Sequence, residues 1–464
     1  MPEKIFSGIL NYALPMKKYL SILLAGFMLS TQVMAFESDE EIIHKLYRNS
    51  YTFWQEVRND NGTFQDGYHF DQISERGSIA NVGMGLIATA IAHANCWEPD
   101  AEKMALHTLN VVAGRDSKIS VPRNKNGTYI HFYNTTTGEQ VGDDWSPVDS
   151  AIMLKGAQFI KNYFSDNKEI AEVVDYLFES TDLTSFIASV EKGQIWLSAY
   201  EDGSFVDEDG TEKHKTLAFN EYMIVASIAY QQALRGMGAD AAPDNDPIAF
   251  WNKWYETTDN VHKPVYETSS ERIEVLGVNP NWFISKFNFQ FNNYLVHHYS
   301  NSDVYQSASH NAARADFAWW NDQASSERES YEWGSGAGSC PQRRPDGSPQ
   351  GNDNKYCVDR IRKNGDRSQN ESMVVSPHIL AGFMPQLDSA RDDLIAMYRD
   401  DQQQAHYRLE DGSVILWRYS LDHPEWRAKA IQAVDFSTML FGLAALEENL
   451  GMEFFNKYNH YYDF

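Results

Sequence analysis

Two kinds of hydrophobic run alternate along this chain. IANVGMGLIATAIAHA, from Ile79 to Ala94, and the stretch from Val434 to Leu450 are apolar on every side of the helix they would form. Lys168–Ser180 carries its apolar residues on one face only. The first kind predicts helices buried all round, and the second predicts helices with one face in water. Helical patterning covers Asp39–Arg58, Ser78–Asn95, Pro99–Ala113, Pro147–Tyr163, Lys168–Ser180 and Leu183–Glu191. It continues over Thr216–Arg235, Pro247–Tyr255, Trp282–Tyr299, Val304–Gln323, Pro377–Met384, Ala390–Tyr398 and Val434–Leu450. Glu98-Pro99 and Ser146-Pro147 place proline at the first position of a helix.

Between the helices, Gly127–Gly138, Ala199–Gly210 and Ala405–Trp417 alternate aromatic and polar residues, as β-ribbons do. An inner ring of buried helices inside an outer ring of amphipathic ones accounts for the contrast. The expected fold is therefore all-α, an (α/α)6 toroid of about six helical hairpins with short β-ribbon insertions, in one domain over 36–464. Ser325–Ser376 interrupts the rhythm with Gly, Pro, Asn and Arg. A loop of that length in a compact domain is usually functional, and this one is expected to cover a site.

Composition narrows the partners. The formal net charge is -26, and removing residues 1–35, with three lysines and one glutamate, makes it two charges more negative. Such a surface repels nucleic acid and anionic lipid. Lys17 and Lys18, the apolar Tyr19–Leu29 and Val33-Met34-Ala35 have the layout of a secretory signal that starts at Met1 or Met16. The apolar stretch is too short to span a bilayer, so a periplasmic or secreted monomer without membrane insertion is expected. Cys340 and Cys357 can bridge in that compartment, closing a loop of about 18 residues worth roughly 3 kcal/mol. Cys96, beside Trp97, is expected as a free, partly buried thiol. No spacing suggests a metal site, and no cofactor fingerprint appears.

Three acidic residues stand out by context. Glu221 is set in LAFNEYMIVASIAY, where a carboxylate loses its hydration and must be paired, protonated or facing a water-filled cavity. It is either a core glutamate with a structural partner or a catalytic acid with a raised pKa. Asp149 completes a capping box with Ser146, and the helix N-terminus there is expected to keep its pKa low. Asp435 interrupts IQAVDFSTMLFGLAAL, with N-cap of the last helix as its structural reading. A proton-holding carboxyl and an ionised one across a shared cavity are what glycoside hydrolysis needs. Trp145, Trp196, Trp282, Trp319, Trp320, Trp333 and Trp417 fall at element ends or in loops, where an exposed indole could carry a sugar ring, although ordinary core packing is expected for most of them.

The order of NGTFQDG, RGSIANVGMGLIATAIAHA, GTYIHFYNTTTGE, WSPVDSAIMLKGA, FNEYMIVASIAY, FNNYLVHHYSN, NAARADFAWW, YEWGSGAG, VVSPHILAGFMP and VDFSTMLFGLAAL resembles the glycoamylase-like domain family, which includes bacterial endo-β-1,2-glucanases. The resemblance runs from about Tyr51 to Leu443. It implies an (α/α)6 toroid and hydrolysis of a neutral β-glucan with inversion, β-1,2-glucan among the candidates. It places the catalytic acids at Glu221, Asp149 and Asp435. Asp144, Trp145, Asp66, Tyr222, His298, Trp333 and Trp417 are the expected substrate contacts. The family's tight loop after Trp-Gly is replaced here by SGAGSCPQRRPDGSPQGNDNKYC. Two alternatives stay open on the sequence: a polysaccharide lyase on a similar toroid, and a non-catalytic glycan-binding protein.

Overall fold

A computed structural model describes residues 37–460 apart from 117, 206–213, 281, 324–327, 344–348, 363–366 and 368. The signal-like residues 1–35 lie outside the described residues. The chain divides into two units, Met1–Ile42 and Ile43–Phe464, and the second carries the fold.

Among the described residues its helices after the first, α1 (Asp39–Val57), are α2 (Ile79–Ala94), α3 (Ala101–Val112), α4 (Pro147–Tyr163), α5 (Lys168–Ser180), α6 (Met223–Leu234) and α7 (Pro247–Trp254). They continue as α8 (Phe287–Leu295), α9 (His297–Asn301), α10 (Asp303–Asp322), α11 (Pro377–Phe383), α12 (Ser389–Arg399), α13 (Ala433–Ala444) and α14 (Gly451–Tyr458). Helix α2 packs on α4, α4 on α6, α6 on α8, α8 on α11, α11 on α13, and α13 returns to α2. These six are the apolar runs. Every residue of α2 from Ile79 to Ala92 is buried, as is all of α8. Helices α3, α5, α7, α10 and α12 back them from outside. Helix α5 buries only Ile170, Val173, Val174, Leu177 and Phe178, one stripe at helical spacing.

Glycine sets how closely the inner helices approach. A Cβ on Gly83 of α2 would overlap the Ile152 carbonyl oxygen of α4, and one on Gly442 of α13 would overlap that of Ala381 in α11. The backbones themselves touch at these points, and no side chain fits between them.

Several boundaries differ from expectation, each for a local reason. The helix after Thr216 begins only at Met223, because Asn220 accepts from the Tyr222 N–H in an Asx-type turn. Glu221 therefore precedes α6 rather than interrupting it. Pro99 also lies outside its helix, which starts at Ala101. Leu183–Glu191 is a short 3-10 turn and strand, started by Asp182 accepting from the Thr184 N–H. Trp282–Tyr299 is broken into a strand, α8 and α9, the last break falling at the extended Val296. Cys96 is exposed rather than partly buried, in the left-handed conformation that ends α2.

All sheets among the described residues are small, of two or three strands. The ribbon at Gly127–Gly138 supplies the centre of a three-stranded one, Arg76–Ser78 with Ile130–Asn134 with Gln140–Trp145. Within 325–376 the described residues include a hairpin, Ala337–Arg343 with Pro349–Val358, crossed by the Cys340–Cys357 disulfide. None of the described helices is long and apolar enough to cross a membrane.

Gly83→Ala should cost about 1–3 kcal/mol, because the added methyl overlaps backbone that cannot rotate away. Denaturant unfolding of the variant against the parent checks this.

Candidate active site

Each candidate acid sits at or just before the start of an inner helix. Ser146 caps α4, its hydroxyl accepting from the Asp149 N–H at 3.3 Å, and Pro147 occupies the first turn. Only half of the expected capping box forms, because the Ser146 N–H donates to the Tyr129 carbonyl and leaves the Asp149 carboxyl uncommitted to it. Asp435 lies in the first turn of α13, with Gln432 rather than Asp435 at the cap. Glu221 precedes α6, its N–H donating to Asn288 Oδ1 at 2.8 Å.

The charges of three of the carboxyls act on Tyr222. Its ring is buried, its hydroxyl donates to the Leu197 carbonyl at 2.9 Å, and burial followed by the charges of Glu221, Asp149 and Asp144 raises its pKa well above the ordinary value. The three carboxyls are tuned differently. Burial raises Glu221 above the ordinary carboxylate range, its own backbone N–H and Arg360 oppose this, and Asp149 reinforces it. Burial also raises Asp149, against the pull of His131 and Ser146, so the helix N-terminus does not leave it low as expected. Asp144, whose side chain is half exposed, is lowered: His131 and the Ser198 hydroxyl, the latter at 2.5 Å, outweigh its partial burial.

His131 is not among the residues the sequence singles out, yet it joins two of them. Its Nδ1 lies 3.4 Å from Asp144 Oδ2 and its Nε2 lies 3.6 Å from Asp149 Oδ2. The ring stacks on Phe132 at 3.8 Å, and the Arg76 guanidinium lies 4.5 Å from the same Phe132 ring while bonding Asp66 at 2.5 Å. Burial pulls the imidazole down, but Asp149, Asp144 and Asp66 outweigh it and set its pKa at about 9. His131 falls at a register shift between Ile130 and Phe132, where the strand bends. Simple alternation along the ribbon gives no sign of that.

Asp435 is different in kind. It is 1% exposed, and Tyr356 donates to its Oδ1 at 3.3 Å. Burial raises its pKa to about 7, with Arg418 and Tyr356 opposing and Asp66 and Asp359 reinforcing.

Trp333 and Trp417 cannot make the substrate contacts expected of them, and core packing holds for most of the tryptophans, as expected. Trp319, Trp320, Trp333 and Trp417 are fully buried: Trp333 donates to Asp393 at 2.8 Å, and Trp417 stacks on His378. An indole is the largest block available to fill a core, and that is its use here. His298 is likewise structural, bonded to the Tyr255 carbonyl at 2.9 Å and packed against Trp251 and Tyr305. Trp145 is buried, with one edge lining a cavity of about 670 Å³ that also includes Tyr200 and Asp143. Trp196 is partly exposed, and the side chain of Trp282 lies outside the described residues. Among the described residues no cluster of His, Cys, Asp or Glu suited to a metal ion occurs.

No protein-family model matches the chain, and no curated protein sequence does. The fold, however, is shared with solved structures. The endo-β-1,2-glucanase of Chitinophaga pinensis, in complex with sophorotriose and glucose, superposes with a TM-score of 0.67 at 14% identity, over 90% of this chain and 95% of its own. The endo-β-1,2-glucanase of Talaromyces funiculosus, in complex with sophorose, gives 0.60 at 11%, over 90% and 87%. Cellobiose 2-epimerase of Bacillus thermoamylovorans gives 0.51 at 10%, over 86% and 98%. At these identities the likeness establishes a common fold.

A titration of His131 by NMR should place its midpoint near pH 9, and Asp149→Asn should move it down by about one unit or more toward the ordinary 6.5. Because the folded pKa is raised, the stabilisation from these pairs is fully present below about pH 6.5 and is lost as pH rises through 9.

Proposed function

We propose that this chain is a glycoside hydrolase acting on a neutral β-glucan, with β-1,2-glucan as the first substrate to test. Its ring of inner helices is read as the inside of an (α/α)6 toroid, forming with its outer helices one catalytic domain over 36–464. The observation that carries the proposal is a set of unlike carboxyls coupled through charge, with His131 lying between Asp144 and Asp149. Glu221 is biased to hold its proton, while Asp144 is biased to ionise and Asp149 is paired with a cationic imidazole. Glu221 is assigned as the general acid on the leaving oxygen, and Asp149 as the base that activates a water. Asp144 and Asp66 are assigned to sugar hydroxyls. Asp435, enclosed and raised to about 7, fits a substrate or structural contact better than the base. Inversion is the stereochemical outcome expected of an acid and base separated by a water.

The fold supports this reading, because the glucanases named above share it, and so does the acidic composition, which suits an uncharged substrate. No cofactor is called for by the assigned chemistry. Action outside the cytoplasm fits the Cys340–Cys357 disulfide and the signal-like start of the sequence.

Incubation with a panel of glucans should release new reducing ends from one linkage class, and Glu221→Gln should lower kcat by about 10²–10⁴-fold. Unchanged hydrolysis by Glu221→Gln would remove the acid assignment. Products absorbing in the ultraviolet would point to a lyase. Epimerised sugar without chain cleavage would point to an isomerase, and binding without either to a glycan-binding protein.

A further inference from the structure

The hairpin of Ala337–Arg343 with Pro349–Val358 is held by three attachments. The Cys340–Cys357 disulfide crosses it. Arg418, fully buried, grips both of its feet, donating from Nη1 to the Gly338 carbonyl at 2.5 Å and pairing through Nη2 with Asp359. Ser339 adds a third attachment, its N–H donating to Gln432 Oε1 at 2.8 Å and its hydroxyl to the Ala430 carbonyl at 3.0 Å. The strand it meets leads directly into α13 and Asp435. A cavity of about 220 Å³, lined by both cysteines, Lys355 and Asp359, lies against the hairpin. Close packing therefore does not fix the hairpin on that side, and the covalent and ionic clamps do.

What the clamps deliver is Tyr356, next to Cys357. Its hydroxyl reaches Asp435 at 3.3 Å and feels the charge of Glu221 as well. The residue is nevertheless 54% exposed, far more than a core tyrosine needs to be. Arg360, three positions beyond Cys357, opposes the rise of Glu221. A single pinned segment thus supplies a neighbour to both acids and turns a flat aromatic surface outward beside them. The tryptophans Trp319, Trp320, Trp333 and Trp417 offer no such surface, since all are enclosed.

We propose that Tyr356 is the specificity-determining residue of this site: its ring is the platform on which a glucose unit stacks, its hydroxyl positions Asp435, and the Cys340–Cys357 clamp holds both in register. The proposal rests on the hydrolase reading for its kinetic consequences, while the platform itself is also a statement about binding.

The test compares the full chain with Tyr356→Ala, Tyr356→Phe and the double variant Cys340→Ser/Cys357→Ser on a size-graded series of β-1,2-gluco-oligosaccharides. Binding is read by calorimetry, and cleavage by product length. Tyr356→Ala should raise KM and Kd roughly two- to tenfold, the range of an aromatic stacking contact, and should change the shortest oligosaccharide cut. Tyr356→Phe keeps the ring and so should keep the parent's product lengths, while loss of the Asp435 bond should raise KM by less than Tyr356→Ala does. The double serine variant should follow Tyr356→Ala in product length while keeping the parent's circular dichroism. Parental KM, Kd and product lengths in Tyr356→Ala would overturn the proposal even if the parent enzyme is a good glucanase. If the parent binds these sugars without cleaving them, the hydrolase reading fails, and the Kd ratio between parent and Tyr356→Ala alone decides for or against the platform. If the parent neither binds nor cleaves them, both fall.

Discussion

The backbone contact between inner helices is the constraint on which the rest of the structure depends. Gly83 of α2 and Gly156 of α4 press against each other's chains, and Gly442 of α13 presses against Ala381 of α11. With no side chain between them, the backbones of these two helix pairs are in direct contact, within the cycle that runs from α2 through α4, α6, α8, α11 and α13 back to α2. The larger residues of the same helices must then point elsewhere, into the outer layer or toward the ends. A wider ring would separate the helix starts and with them the carboxyls, whose mutual influence falls with distance.

The three catalytic candidates occupy equivalent positions on their helices: Asp149 opens α4, Glu221 precedes α6 and Asp435 opens α13. Helix N-termini leave N–H groups unpaired and favour negative charge. Burial opposes that charge, and in Glu221, Asp149 and Asp435 burial wins. What differentiates the acids is therefore their local partners. Ribbon and hairpin insertions bring His131 and Ser198 to Asp144, His131 to Asp149, and Tyr356 to Asp435. The helices supply a common platform of carboxyls, and the insertions give each one its own proton affinity.

This division explains what can be read in the sequence. Period and capping carry the helices: Pro147–Tyr163 and Lys168–Ser180 have the expected bounds because Ser146 and Asn167 cap them locally. The acids are visible because a charge in an apolar run is conspicuous whatever its role. Glu221 reads as lying inside a helix because LAFNEY is apolar enough to continue the pattern, whereas Asn220 delays the helix start to Met223 by accepting from the Tyr222 N–H. His131 escapes notice for a different reason. Its meaning depends on a strand irregularity and on Asp144 and Asp149, thirteen and eighteen positions away, and period-2 alternation does not encode either.

The tryptophans show the same limit from the other side. Position at an element end makes exposure plausible one residue at a time, but burial is decided by the layers on both sides. Trp333 and Trp417 stand in a loop and at a strand end, yet Asp393 and His378 close over them. A sugar-facing ring has to be held outward against the tendency of aromatic surface to bury itself. For Tyr356 the opposing hold is visible: a disulfide one residue away and Arg418 beneath both feet of its hairpin. Where a large ring stays in solvent beside a buried carboxyl, the attachments that keep it there say more about its use than its residue type does.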